Sequence, residues 1–139
     1  MEKTEVKEPK IRKVFICSPF RPRGTDKEER EQEWKNNIER AQAACKYAVN
    51  KGYVPYAPHL YFPQFLSESD EEEREMGILL GLTWLARCDE LWVVGDRISE
   101  GMSKEIEKAK EWNIPIKHLV ARKVVNKSLA DLITELMGG

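Results

Sequence analysis

Among the residues whose type and spacing could do chemistry, Glu105 stands out. It lies in the stretch Asp89 to Trp112, DELWVVGDRISEGMSKEIEKAKEW, which reads as strand, loop and helix. Leu91, Trp92, Val93 and Val94 form a short apolar run of strand-forming types, suited to a parallel sheet covered on both faces. Gly95, Asp96 and Ser99 to Gly101 are polar and turn-prone, and Met102, Ile106 and Ala109 then recur at helical spacing. Glu105 is therefore expected in the first turn of a helix that starts at the carboxyl end of a strand, the edge where open α/β sheets bind ligands. Two explanations fit an acid there. It offsets the helix dipole by ~0.3–1 kcal/mol; or that dipole keeps it ionised, ready to attack a sugar's anomeric carbon and hold the covalent intermediate. Ser99 and the amides around Gly101 sit where a phosphate or sugar hydroxyl would be received, glycine permits close backbone approach, and Met102 completes this part of the candidate binding set.

Two other segments offer polar or aromatic groups. SPFRPRG, residues 18–24, follows a first strand and carries Ser18, Phe20, Arg21 and Arg23; its arginines either grip a phosphate or carboxylate or are simply solvated. APHLYFPQFL, residues 57–66, is an aromatic loop whose Pro58 and Pro63 keep it from pairing as a regular strand. It either walls a pocket for a flat ring or plugs the core or a subunit contact. His59 in this loop is better placed for function than His118 in the last strand. Cys17, Cys45 and Cys88 are odd in number and widely separated, which fits neither a disulfide framework nor a zinc site; they read as core thiols, with Cys17 ending a strand near the candidate site.

The elements that must position these groups alternate regularly. Strands are predicted at Lys13 to Cys17, Tyr53 to Tyr56, Leu91 to Val94 and Ile114 to Val120. A long helix is expected to begin at a Thr25/Glu28 capping box, to bury Trp34, Ile38, Ala41, Cys45 and Ala48, and to stop at Gly52. A Ser69/Glu72 box opens another, with Met76, Leu79, Leu80, Trp84 and Leu85 on its buried face, and Ser128 starts a final amphipathic helix. Strand and helix alternating four times predicts an α/β fold: a flavodoxin-like (Rossmann-like) three-layer sandwich with a parallel sheet of four to five strands in the order 2-1-3-4. Residues 1–10 read as a flexible charged lead and 11–139 as a single domain.

Composition narrows the partners. The 23 lysines and arginines nearly balance 24 aspartates and glutamates, so no global field draws a nucleic acid polymer or an anionic membrane. No apolar run approaches the ~20 residues of a membrane span and the charged N-terminus is unlike a signal peptide, which places the protein in the cytoplasm. With no GxGxxG, no Walker sequence and no ligand cluster, no cofactor or metal is expected.

The segments VFICSPFR, APHLYF, WLARCDELWVV and SEGMSKE together resemble the nucleoside 2-deoxyribosyltransferase-like superfamily, which includes 2'-deoxynucleoside 5'-phosphate N-hydrolases. The resemblance covers nearly the whole chain through the order and spacing of its motifs. It implies that Glu105, four residues beyond Gly101, is the catalytic nucleophile; that Ser99 and Arg21 contact a 5'-phosphate, with Ser18 one residue off a family serine; and that His59 and Phe20 line the site, Phe20 towards the base. The expected ligand is a small nucleoside or nucleotide, and the expected assembly a homodimer or higher homo-oligomer. One departure stands out: where the family carries an aspartate three residues before the Trp-Leu pair, this chain has Gly81. Asp96 is the available substitute. The implied activity is cleavage or exchange of an N-glycosidic bond, and the loss of that acid keeps open the alternative of a nucleotide-binding protein without catalysis.

Overall fold

A computed structural model describes residues 9–119 and 128–138. Four strands, β1 (Lys13–Cys17), β2 (Val54–Tyr56), β3 (Glu90–Val94) and β4 (Ile116–Leu119), form one sheet in the order β2-β1-β3-β4. Every pairing is parallel, with Phe15 opposite Tyr56 and Leu91, and Val93 opposite His118. The expected flavodoxin-like order is the order observed. The predicted strand ends at Tyr53 and Ile114 lie just outside β2 and β4, and Val120 falls outside the described residues, as does most of the charged lead.

Side-chain alternation along the two central strands divides the core. Phe15, Cys17, Leu91 and Val93 face one layer, packing with Leu85, Met102 and Ala109. Those three come from α3 (Glu71–Leu85) and α4 (Glu100–Glu111). Val14, Ile16, Trp92 and Val94 face the other layer, against Ala44 and Ala48 of α1 (Lys27–Asn50). Such double-sided burial is why β3 reads as an unbroken apolar run. Gly52 takes a φ of +83° just past α1, a conformation glycine adopts without strain, and turns the chain into β2. A fifth helix, α5 (Leu129–Gly138), buries Leu132.

Three local expectations are corrected. The caps of α1 and α3 are Asp26 and Asp70, which accept from the amides of Glu29 and Glu73, rather than Thr25 and Ser69. Each carboxylate stands one residue beyond the hydroxyl and brings a full negative charge to the helix N-terminus. The aromatic segment is not an irregular loop: it forms α2 (Pro58–Tyr61) and a 3-10 turn, Phe62–Gln64, each with proline at its start. Finally, α4 begins at Glu100, so Glu105 sits in its second turn, beyond the reach of the dipole's strongest field.

Candidate functional site

At the carboxyl ends of β1 and β3, the loop after β1, α2, α3 and the start of α4 enclose a cleft of about 300 Å³. Phe20, Arg21, His59, Ser99, Gly101 and Glu105, drawn from three separate segments, all line it. Arg23, Arg74 and Arg97 line it too, together with Glu68 and Ile78. A narrow extension of about 30 Å³, room for a water, continues past His59 and Glu105 towards Pro58 and Gly77.

The loop after β1 is fixed from several sides. Asn37 of α1 donates its side-chain amide to the Phe20 carbonyl at 3.0 Å, and Glu33 accepts the backbone amides of Arg23 and Gly24 at 2.6 and 3.2 Å. Arg97, in the loop after β3, donates to the Arg21 carbonyl at 3.2 Å and joins the two loops that carry the site. Phe20 is buried: His59 stacks on it at 4.7 Å and 10° between ring planes, and Trp34 meets its edge at 4.9 Å. Phe20 thus supports His59 instead of offering that face to a base. Burial holds His59 neutral, its pKa lowered to about 4 although a backbone hydrogen bond with Ser18 opposes the shift.

Glu105 is 6% exposed, and its Oε1 has no hydrogen-bond partner. Burial raises its pKa to about 8, with a hydrogen bond to the Cys17 thiol pulling the other way. The sequence-based expectation that a helix dipole keeps it ionised is therefore corrected: at neutral pH the unliganded protein holds this carboxyl largely protonated. The Cys17 thiol lies between Glu105 and the Met102 carbonyl, 3.8 Å away, and is pushed far above the ordinary thiol range, first by burial and then by the neighbouring carboxyl. Ser18 is also buried, with an unpartnered hydroxyl.

Ser99 caps α4: its hydroxyl accepts the Met102 amide at 3.2 Å and retains its own hydrogen as a donor. Gly101 has open space where a Cβ would be. Met102, by contrast, is 1% exposed in the core beneath the site rather than on its wall, because the Ser99 cap turns its side chain inward. Arg21 donates to the Glu68 carbonyl at 3.1 Å, and its Nε lies 3.6 Å from the Glu68 carboxylate; Arg74 approaches the same carboxylate oxygen at 3.8 Å. Gly81 is buried and faces Pro58, 3.5 Å from where its Cβ would stand, and is not part of the cleft wall, where α3 presents Arg74 and Ile78. Asp96 is exposed and lies outside the cleft.

Residues 12–119 match the family model described as a domain of unknown function, DUF7768. The chain belongs to this family. Comparison of the DUF7768 chain with curated protein sequences gave no match. Among solved structures it is similar to a 2-deoxyribosyltransferase from the psychrotolerant bacterium Bacillus psychrosaccharolyticus, described as a biocatalyst for the synthesis of antiviral and antitumoral nucleosides. The two share 16% identity with a TM-score of 0.54, over 89% of this chain and 81% of that one. The likeness is one of fold, and it extends the α/β order seen here to an enzyme with nucleoside chemistry. Among the described residues no helix of this DUF7768 protein is long and apolar enough to cross a membrane, and no group of His, Cys, Asp or Glu is arranged to hold a metal.

Proposed function

We propose that this DUF7768 protein cleaves or exchanges the N-glycosidic bond of a nucleoside or nucleoside 5'-monophosphate, with Glu105 as the nucleophile. The observation that carries the reading is a buried carboxyl with an unpartnered oxygen, opening into an arginine-rich cleft at the carboxyl edge of a parallel sheet. Glu105 must first lose its proton. Its anion would then attack the anomeric carbon as the C–N bond breaks and the base leaves with a proton from solvent; water, giving up a proton, or a second base would next displace the carboxylate from that carbon and release the glycosyl group. Arg21 and the Ser99 hydroxyl are the proposed phosphate donors, His59 and Gly101 shape the sugar side, and Ser18 is held ready to donate from beneath. Met102 acts by seating the helix that carries Glu105. Residues 11–139 work as one domain.

The raised pKa of Glu105 favours a second reading. A neutral glutamic acid is a hydrogen-bond donor, and the cleft would then bind a nucleotide without cleaving it. Incubation with ribo- and deoxyribonucleosides and their 5'-monophosphates, followed by chromatography for free base, separates the two. Base release that rises with pH towards about 8 and disappears in Glu105→Gln is expected of the enzyme. Tight binding by calorimetry with no base from any substrate at any pH leaves the binding protein.

We also propose a homo-oligomer. Tyr61 of α2, Phe65 just after the 3-10 turn and, contrary to the buried face expected of them, Met76, Leu79 and Leu80 of α3 are exposed, an apolar surface of the kind that marks contacts. Light scattering at micromolar concentration should give at least a dimer, and a monomer there removes the claim.

A further inference from the structure

We propose that Glu68 is a resident stand-in for the ligand's phosphate: it occupies the space between Arg21 and Arg74 in the free protein and leaves when a phosphate monoester binds. The inference rests on the reading of the cleft as a nucleotide site and specifies which of its groups select the phosphorylated form.

Glu68 lies in the short connection between the 3-10 turn and α3. Its Oε2 faces the Nε of Arg21 at 3.6 Å and the Nε of Arg74 at 3.8 Å. Both separations exceed the ~2.7–2.9 Å of a charge-assisted hydrogen bond, so the carboxylate neutralises the two guanidiniums without engaging their donor forks. Burial raises the Glu68 pKa, against the pull of both arginines; desolvation of the carboxylate outweighs the attraction. A well-seated ion pair shows the reverse, as Glu90 does in this same molecule. The two guanidiniums converge from separate elements on one point of the cleft that also contains Glu105. Two cations that converge on one loosely held anion, with Arg74 also 3.8 Å from the exposed Glu71 carboxylate, describe a site for a doubly charged group. A phosphate monoester carries nearly two charges at neutral pH and offers three acceptor oxygens, against one charge and two oxygens for Glu68. A nucleoside without phosphate cannot displace it. Glu68 thereby sets a threshold that only phosphorylated ligands cross, and Arg74, which no motif in the sequence singles out, becomes a specificity residue alongside Arg21.

The test is calorimetry on the wild type and Glu68→Gln with inorganic phosphate, 2-deoxyribose 5-phosphate, 2'-deoxyadenosine 5'-monophosphate and 2'-deoxyadenosine; thermal melts establish that the variants are folded. Removing the competing charge while keeping the shape should tighten the two base-free phosphate probes and the nucleotide by about tenfold or more, leaving deoxyadenosine unchanged. Arg74→Ala added to Glu68→Gln should abolish that gain. Equal or weaker phosphate binding by Glu68→Gln, an equal gain for deoxyadenosine, or a gain that survives loss of Arg74 each overturns the proposal. Base release is a separate measurement. Its absence from every nucleotide, with the Glu68→Gln gain intact, removes the chemistry assigned to Glu105 and leaves this subsite standing.

Discussion

Glu90 and Glu105 are both carboxylates removed from solvent, at 1% and 6% exposure, yet they occupy opposite ends of the same sheet in opposite states. Glu90 opens β3, at the end where the strands begin. It accepts from Tyr53 at 2.7 Å, from the Trp92 indole at 3.0 Å and from Arg12 at 3.2 Å, and Lys117 stands 2.8 Å away. Burial alone would raise its pKa, but these donors outweigh burial and lower it to about 2. Glu105 lies at the other end with an empty oxygen and a pKa raised to about 8. The same side chain is a fully bonded structural anion beneath the exposed cations Arg12 and Lys117 in one place, and a more deeply packed acid with an unpartnered oxygen in the other. Depth and the number of donors together set the two states: desolvation dominates at Glu105, and hydrogen bonds and ion pairs overcome it at Glu90.

The comparison is broken most forcefully at its structural end. Glu90→Ala strips the acceptor from Tyr53 and the Trp92 indole, and should destabilise by about 2–4 kcal/mol in urea unfolding; a loss under 1 kcal/mol would mean the cluster is ornamental. Gly81→Asp comes next. Gly81 is buried on Pro58 and away from the cleft, so the new carboxylate has no partner and should cost about 2–3 kcal/mol. A stable mutant with an altered substrate profile would instead bring residue 81 into the site.

At the functional end the sign reverses. The folded protein holds the Glu105 proton up to about pH 8, whereas an unfolded glutamate releases it near 4.3. Between those values the folded state binds more protons, so stability falls as pH rises through the window. Glu105→Gln lacks this dependence. Its melting temperature relative to wild type should climb steadily from pH 5 to pH 8; a flat difference would show that the carboxyl ionises freely. The smallest effect is expected at Ser99→Ala, where loss of the cap costs ~1 kcal/mol. Loss of monophosphate binding beyond that of the nucleoside is what would mark its hydroxyl as a ligand contact, and equal losses would leave it a cap.

Much of this was legible in the sequence because it depends on local pattern. The apolar runs KVFIC and LWVV located the central strands, and the alternation of elements gave the sheet order. The spacing from Ser99 through Gly101 to Glu105 drew attention to the edge where the cleft lies. The protonation of Glu105 was not legible, since burial is a property of packing and the helix dipole argues the other way. Arg74, Arg97 and Glu68 escaped for a related reason: they lie in different elements, and only the topology brings them into one cleft. Glu90 drew no attention, although a charge opening an apolar run was a signal available to be used. Cap choice turned on adjacent Thr-Asp and Ser-Asp pairs, where either residue can cap.

The Glu90 cluster also bears on the order in which the chain matures during synthesis. Its donors come from residues 12, 53, 92 and 117, with Arg12 separated from Glu90 by 78 positions. Until Lys117 has left the ribosome, a nascent chain with β1, β2 and β3 already assembled would enclose a carboxylate short of one donor. The last strand thus completes the donor set of a carboxylate buried at the start of the third.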